Sequence, residues 1–373
     1  MRAAAAAALL FAAAPVAAGQ VSWSPYGALK DGRKVSQFVL TNDRGMEVRL
    51  INYGAIVTDV VVPDAKGRRA NVVLGFANLR DYEEKNGNYS FGAAMGRYAG
   101  RIADARFRID GKEYRLAANN GPHTLHGGPG GFDTRLWTAQ PYSNVGRVGA
   151  VMSYSSPAGE QGFPGKLDVT IIYTLTDDNR LRIDYEARTD APTVLNLTNH
   201  SYFNLAGAGS GTVRDQLLTV AANRYVEIDG GGIPTGRFPK VDGTPFDFRR
   251  PVPIGTTMDR PHPQMEGHRG YNHAWLLEGH GRLSLAARLE DRASGRRMDV
   301  LTTEPSLQIY SGNWFSGKDV GAHGKPYLPH YGIALETQHL PDAPNRPQFG
   351  STLLRPGQTF RSTTVFRFSA SGR

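Results

Sequence analysis

The stretch "LDVTIIYTLTDDNRLRIDYEAR", residues 167–188, holds two runs rich in Val, Ile, Leu and Tyr on either side of the turn pair Asp178-Asn179. Branched and aromatic residues favour strands, and a turn pair between two such runs is typical of a β-hairpin. Long stretches with helical periodicity are hard to find, whereas similar runs occur along the chain: "KVSQFVLTN" (34–42), "MEVRLINYGAIVTDVVVPD" (46–64), "ARFRIDGKEYRLA" (105–117, with the turn pair Asp110-Gly111), "LSLAARLED" (283–291) and "TTVFRFSA" (363–370). The sequence therefore predicts a mostly β, antiparallel fold.

The organisation of the chain indicates one large domain over residues 20–373. The protein has 373 residues, 40% of them hydrophobic, which is ample for a real core. No block repeats by eye, and no low-complexity linker interrupts this range. Two long loops rich in Gly and Pro, residues 119–131 and 230–236, are candidate binding segments, because loops of that length on a rigid sheet often carry function.

Residues 1–19 are typical of an export signal, with one basic residue, an apolar Ala/Leu core and small residues near the expected cleavage point. Pro15 interrupts the apolar stretch, which is also short for a membrane span, so an uncleaved anchor is the less favoured alternative. We expect a mature chain that begins near Gln20 in the periplasm or outside the cell, with no membrane association after cleavage.

The formal charge of +9, from 43 Lys and Arg against 34 Asp and Glu, does not indicate a nucleic-acid partner. The arginines are scattered through turns, without a basic stripe or interleaved aromatic residues. Cysteine is absent, which excludes disulfides, zinc-thiolate sites and a cysteine nucleophile.

The segment "NLTNHSYFNL", residues 196–205, carries asparagines and a histidine among leucines and aromatic residues. As a single strand it would place Leu195, Leu197, Phe203 and Leu205 on one face, and Asn196, Thr198, His200 and Tyr202 on the other. The polar face fits a solvated surface or the lining of a pocket for a ligand rich in hydroxyl groups. Alternation alone leaves both open.

Glu336 in "YGIALETQHLPD", residues 331–342, is a possible general base. Alternation places it with Gln338, opposite Ile333 and Leu335, and a carboxylate within an apolar strand needs a partner or a raised pKa. An exposed glutamate on an edge strand is the alternative.

The pair His123 and His126 has a spacing that a metal site could use. Neither a carboxylate nor a third histidine lies nearby at ligand spacing, so we expect no metal.

Taken together, these stretches resemble the aldose 1-epimerase, or galactose mutarotase, family over nearly the whole mature chain. The matching segments, in order, are "INYGAIVTDVVVPD", "NVVLGF", "GRYAGRI", "TLHGG", "GFDTRLW", "GEQGFPG", "NLTNHSYFNL", "IPTG", "GTPFDFR", "GYNHAW", "LQIYSGNWF" and "LETQHLPDAPN". The resemblance implies an all-β fold, a large antiparallel β-sandwich (the galactose mutarotase-like supersandwich) with few short helices. It also implies interconversion of the α and β anomers of free hexoses such as glucose and galactose, without metal or cofactor, by a monomer or homodimer.

The resemblance assigns roles to residues of this chain. His200 matches the general acid that protonates the ring oxygen, and Glu336 matches the base that takes the anomeric proton, so we expect them to face each other across a gap of one sugar ring. The remaining matches bind the sugar: Arg101, His126, Gln308 and Asn272.

Two positions depart from the family pattern, because Gly100 replaces a common asparagine and Asn272 replaces the usual acidic ligand. Asparagine still donates and accepts hydrogen bonds but lacks the charge. Two alternatives stay open: a non-catalytic carbohydrate-binding protein, or an epimerase of a phosphorylated or pentose sugar, in which Arg97 and Arg101 would begin a phosphate site.

Overall fold

The structure, a computed structural model, describes residues 19–279 and 281–371. The predicted signal segment, apart from Gly19, lies outside the described residues. No helix in these two ranges is long and apolar enough to cross a membrane. The strands within them are β1 (Gln20–Ala28), β2 (Lys34–Thr41), β3 (Glu47–Ile51), β4 (Ile56–Pro63), β5 (Arg69–Asn71), β6 (Ala94–Met95), β7 (Arg101–Ile102), β8 (Arg106–Ile109), β9 (Lys112–Arg115), β10 (Thr124–Leu125), β11 (Thr138–Asn144), β12 (Arg147–Ser156), β13 (Leu167–Thr176), β14 (Arg180–Thr189), β15 (Thr193–Val194), β16 (Thr198–Asn199), β17 (Tyr202–Phe203), β18 (Leu217–Val220), β19 (Val252–Pro253), β20 (Asn272–Leu276), β21 (Ser284–Glu290), β22 (Arg296–Thr302), β23 (Ser306–Tyr310), β24 (Ile333–Gln338), β25 (Leu353–Leu354) and β26 (Phe360–Ala370).

The hairpin of residues 167–188 forms the middle of the largest sheet. Strands β13 and β14 pair antiparallel, with Leu175 opposite Leu181, and the turn between them ends on Asn179 in the left-handed region (φ 60°). Asparagine tolerates this conformation better than most residues, which is why the turn forms here. The sheet has nine strands in the order β11-β12-β13-β14-β26-β22-β21-β18-β19.

Two smaller antiparallel sheets pack against the nine-stranded sheet. One has the order β1-β2-β3-β4-β5 and the other β17-β24-β23-β20. A single hydrophobic cluster joins the three sheets, with side chains from each of them, for example Leu50 of β3, Ile171 of β13, Val300 of β22 and Ile309 of β23. This arrangement confirms the predicted antiparallel β-sandwich, because two layers bury their apolar faces against each other.

Helices are few and short, as predicted. The α-helices in the described ranges are α1 (Leu79–Lys85) and α2 (Ile254–Met258). The side chain of Asn78 caps the first by accepting a hydrogen bond from the backbone N–H of Asp81.

The segment of residues 196–205 is not the single strand that alternation predicted. It contains the short strands β16 and β17, which pair with β6 and β24 respectively. The prediction was wrong because buried side chains, rather than one sheet partner, hold the chain between these pairings. Asn196, for example, donates to the carbonyls of Ala99 and His339.

The apolar residues of this segment still lie on one side of the chain, as alternation predicted. Leu195, Leu197, Phe203 and Leu205 lie in the main core. On the other side, His200 and Tyr202 line a cleft, whereas Asn196 and Thr198 are buried and bonded to backbone carbonyls.

Candidate active site

A cleft of about 380 Å³ lies over the face of the four-stranded sheet that points away from the core. Its floor consists of side chains from β20, β23 and β24, and both predicted binding loops, residues 119–131 and 230–236, contribute to its walls. This volume is within the range of ordinary small-molecule sites. A rigid sheet therefore presents polar side chains to a ligand-sized space.

Glu336 and Gln338 point into this cleft from β24, an interior strand of its sheet. Ile333 and Leu335 point into the core, which confirms the predicted alternation. Only 2% of Glu336 is exposed, so the alternative of an exposed edge-strand glutamate is wrong. Glu336 Oε2 and both polar atoms of the Gln338 amide have no hydrogen-bond partner among the described residues. Buried polar atoms without partners cost stability, so a polar ligand would complete this site.

Burial controls the protonation of Glu336. It raises the pKa of the carboxyl to about 8, and the positive charge of Arg101 opposes that rise. The group therefore holds a proton at neutral pH in the ligand-free site. Its pKa falls when hydrogen-bond donors approach, which suits a group that must both accept and release a proton.

His200 lies beside Glu336 at the bottom of the cleft. Its backbone exchanges hydrogen bonds with Ala93 and Gly92, which fixes its position, and its ring packs 4.9 Å from the ring of Tyr202. His200 Nε2 is 3.4 Å from Glu336 Oε1, and Nδ1 has no partner in the described part of the chain. Burial lowers the pKa of His200 to about 4.

The expected gap of one sugar ring between His200 and Glu336 is therefore wrong. The two groups are almost in contact, at 3.4 Å. The chemistry explains this, because the ring oxygen and the anomeric hydroxyl of an aldose share one carbon. An acid and a base that act on them must lie on the same edge of the sugar.

The pair of His200 and Glu336 carries a single proton over a wide pH range. With one pKa near 4 and the other near 8, the two groups together bind one proton between these values. A pair in this state can donate a proton through one member and accept one through the other, which is what acid–base catalysis of a single bond cleavage requires.

Arg101 reaches the cleft from a separate two-stranded sheet, where it pairs with Leu125, and His126 follows directly after that strand. The Arg101 Nε–H donates to Asn120 Oδ1 at 2.9 Å. The backbone N–H of Gly100 donates to His126 Nδ1 at 3.2 Å, so the other ring nitrogen of the neutral imidazole carries the proton. Burial, His200 and Arg101 all lower the pKa of His126, which keeps it neutral. His126 is therefore a hydrogen-bond donor to the cleft.

Gln308 and Asn272 lie side by side on β23 and β20. Gln308 Nε2 donates to Asn272 Oδ1 at 3.0 Å, and both residues line the cleft. Gln308 pairs directly with Glu336 across the sheet. The structure thus brings the predicted residues together around one space: His200, Glu336, Arg101, His126, Gln308 and Asn272.

The possible metal pair of His123 and His126 does not form. His123 Nδ1 accepts the backbone N–H of Asp104, while His126 joins a group with His200 and Glu336 whose donor atoms lie within 4.8 Å of one another. The acceptor nitrogen of His126 is already used by Gly100, so its ring has no lone pair left for a cation.

Arg97 does not belong to the cleft. Its guanidinium is buried and donates to the carbonyls of Ser156, Pro157, Pro164 and Gly165. It therefore secures the loop after β12, and the suggestion that Arg97 begins a phosphate site is wrong.

Several lining residues were given no role in the site by the sequence analysis: Tyr202, Tyr310, Gln338, Asn120 and Trp314. Strand alternation had already placed Tyr202 beside His200 and Gln338 beside Glu336, and Tyr310 lies two positions from Gln308, so the same alternation could have identified it. Asn120 belongs to the candidate loop of residues 119–131, but no sequence signal indicated its contact with Arg101.

Comparisons with known proteins identify the family. The family model described as aldose 1-epimerase matches residues 36–367. Galactose mutarotase from Rattus norvegicus is 44% identical over 352 residues, which is 94% of this chain and 99% of the relative. Aldose 1-epimerase from Escherichia coli (strain K12) is 38% identical over 343 residues, 91% of this chain and 97% of the relative.

Solved structures give the same result. The galactose 1-epimerase of Lactobacillus acidophilus NCFM has a TM-score of 0.84 at 28% identity, covering 95% of this chain and 99% of that one. The GalM/aldose epimerase homologue of C. elegans has a TM-score of 0.81 at 30% identity, covering 89% and 98%. These similarities in sequence and fold, over almost the full length of each protein, show that the chain belongs to the aldose 1-epimerase family.

Proposed function

We propose that the protein is an isomerase that interconverts the α and β anomers of free hexoses such as glucose and galactose. The observation that carries this proposal is the buried pair of His200 and Glu336, 3.4 Å apart at the bottom of a polar cleft. A carbohydrate-binding protein needs hydroxyl contacts but no acid–base pair. The relatives named galactose mutarotase and aldose 1-epimerase, at 44% and 38% identity, support the catalytic alternative.

Ring opening needs two proton transfers at one carbon. Glu336, as carboxylate, takes the proton of the anomeric hydroxyl, and His200, as imidazolium, gives a proton to the ring oxygen as the bond between that oxygen and C1 breaks. The aldehyde then rotates about its bond to C2, and the same groups run the reverse transfers as the ring closes on the other face. The number of protons on the pair is the same before and after each step, so no outside acid or base is consumed.

The surrounding residues set the charge state of this pair and hold the sugar beside it. Arg101 favours the carboxylate form of Glu336, and sugar hydroxyls that donate to Glu336 act in the same direction. The N–H of His126 and the amides of Gln308 and Gln338 face the cleft and can hold the other hydroxyls. Positioning of this kind turns an acid and a base that are weak in water into an oriented pair.

A direct test follows the optical rotation of freshly dissolved α-glucose and α-galactose with the purified protein. We expect a rate well above the spontaneous one for both sugars and a much lower rate for glucose 6-phosphate, because Arg97 is committed to the loop after β12. Binding of these sugars without acceleration would instead support the carbohydrate-binding alternative.

The dependence of kcat/KM on pH is expected to be a broad bell, with an acid limb near pH 4 and a basic limb near pH 8. Below the first value His200 becomes protonated and the pair lacks an acceptor; above the second, Glu336 loses its proton and the pair lacks a donor. Polarimetry across this range tests it, with activity re-measured at neutral pH after each exposure. If the limbs instead fell at the ordinary pKa values, 4.5 for glutamate and 6.5 for histidine, burial would not be shifting the pKa values of the pair.

We also propose that the protein is exported and loses residues 1–19, and that it works in the periplasm or outside the cell as a monomer or homodimer. Strand β1 begins at Gln20, directly after the expected cleavage point, which supports this proposal. N-terminal sequencing and light scattering of the protein isolated from its source test these points. A mature protein that retains Met1 would contradict cleavage.

A further inference from the structure

Two contacts hold the guanidinium of Arg101 in the wall of the cleft. Its Nε–H donates to Asn120 Oδ1 at 2.9 Å, which is the only hydrogen bond that its side chain makes to a described residue. The guanidinium also packs against the backbone of Gly232, where an added Cβ would lie 3.1 Å from Arg101 Cζ. Packing therefore restricts the guanidinium on one side, and the hydrogen bond to Asn120 sets its direction.

Asn120 is itself fixed by the structure of its loop, residues 119–131. Its backbone N–H and C=O both bond to the backbone of His123, at 3.1 Å each. The His123 ring in turn accepts the backbone N–H of Asp104 at 3.1 Å, so the loop is tied to the segment that follows β7. The amide of Asn120 thus has a defined position relative to the strand that carries Arg101.

The group that holds Arg101 is an amide and not a carboxylate. The carboxylates that act on the charge of Arg101 are those of Glu336 and Asp229. In the part of the chain that the structure describes, Glu336 has its close contact with His200, and Asp229 Oδ1 accepts N–H groups from the backbone of its own loop. A carboxylate partner would offset the positive charge of a guanidinium, whereas an amide does not. Arg101 therefore keeps its charge for other groups in the cleft.

Arg101 supplies the charge that acts on Glu336. The titratable groups that face Glu336 come from separate elements: His126, His200, Tyr202, Tyr310 and Arg101. Burial lowers the pKa of both histidines and raises the pKa of both tyrosines, so these four are uncharged between about pH 5 and pH 8. Of the five groups only Arg101 is charged in this range, and its charge opposes the rise that burial causes in the pKa of Glu336.

We propose that Asn120 is a positioning residue of the active site, which orients Arg101 without neutralising it. Orientation requires an acceptor for the Nε–H, and an undiminished positive charge requires that this acceptor be neutral. Asparagine meets both conditions. Alanine would lose the orientation, and aspartate would keep the orientation but offset the charge. This inference rests on the proposed epimerase function and adds a residue to its site.

Asn120→Ala tests the orientation. We expect KM for glucose and galactose to rise about three- to tenfold, the effect typical of one lost hydrogen bond, with a smaller change in kcat. The reason is that Arg101 would then have to be ordered by the sugar itself. Polarimetry over a range of sugar concentrations measures both constants. A rise in KM of less than about threefold would overturn the inference.

Asn120→Asp tests the charge. The new carboxylate still accepts the Nε–H of Arg101, so KM should stay within about threefold of the wild type. Its negative charge offsets that of Arg101 and makes Glu336 harder to ionise, so the basic limb of the kcat/KM profile should move up from about pH 8 by about half a pH unit or more. A purely structural role for Asn120 would not move this limb. A basic limb that stays at the wild-type pH would therefore contradict the inference.

Thr124→Val is the control for a general weakening of the loop. Thr124 Oγ1 donates to the carbonyl of Ala117 at 2.9 Å, and its buried side chain does not line the cleft. Valine keeps the shape and loses the bond, so the variant should unfold at a lower temperature while KM and the basic limb stay at their wild-type values. If it raised KM as much as Asn120→Ala does, Asn120 would serve only the loop and the inference would be wrong.

These failures are distinct from a failure of the epimerase function. In each of them the wild type still interconverts the anomers of glucose and galactose, so only the role of Asn120 is lost. Absence of turnover by correctly folded wild-type protein would instead overturn the epimerase function, and the inference with it.

Discussion

Glu336→Gln is expected to lower kcat for anomer interconversion by about 10² to 10⁴-fold while the protein stays folded. A general base contributes a factor of this size, and glutamine keeps the shape and the buried position of Glu336 while losing the ability to take a proton. The change should appear in kcat more than in KM, because the proton transfer belongs to the transition state. Polarimetry with glucose measures it. Activity within tenfold of the wild type would remove Glu336 from the mechanism.

The same variant is expected to become more stable relative to the wild type as pH rises from about 4.5 to about 8. The unfolded chain ionises Glu336 near its ordinary pKa of 4.5, whereas the folded protein holds the proton to about 8. Between these values the folded state binds more protons, so the wild type loses stability with increasing pH, and glutamine removes this loss. Urea unfolding at two pH values across this window detects the difference.

Glu304→Gln is a matched control for both measurements. Glu304 is also a buried glutamate close to a histidine, with His339 Nδ1 2.7 Å from Glu304 Oε2, but it does not line the cleft. We expect this variant to keep mutarotation within a few-fold of the wild type. Its stability should fall, because the change breaks the charge-assisted contact with His339, whereas Glu336 Oε2 has no partner to lose among the described residues.

The strands could be predicted from the sequence because local chemistry determines them. The hairpin of residues 167–188 needs only β-favouring runs and a turn at Asn179, and β24 needs only alternation between core and cleft. The two-residue period of a strand predicted that Glu336 and Gln338 lie on the same side of β24. These features depend on neighbours in the chain.

The rest of the site depends on partners far away in the sequence. The 3.4 Å contact between His200 and Glu336 joins positions more than a hundred residues apart, and no spacing in the sequence encodes that distance. The tautomer of His126 depends on the backbone of Gly100, and the alignment of Arg101 depends on Asn120. Residues 196–205 were misread as one strand because buried hydrogen bonds to three other segments override the period-two pattern.

His200→Gln is expected to reduce kcat by about 10² to 10⁴-fold, the loss typical of a general acid. The amide nitrogen of glutamine can hydrogen-bond to the ring oxygen but cannot transfer a proton to it at useful rates. Glutamine is polar and close in size to histidine, so we expect the variant to stay folded at this buried position, which thermal unfolding checks. His268→Gln, at a partly exposed histidine that does not line the cleft, is the control and should keep most of its activity.

The double variant His200→Gln with Glu336→Gln distinguishes a concerted pair from two independent groups. If one proton leaves the anomeric hydroxyl while another reaches the ring oxygen, either single change already disables the step. The double variant should then fall less than tenfold below the slower single variant, because residues that act as a unit are strongly non-additive. Fully additive losses would mean that the two groups act on separate steps, and the 3.4 Å contact between them would then have no catalytic purpose.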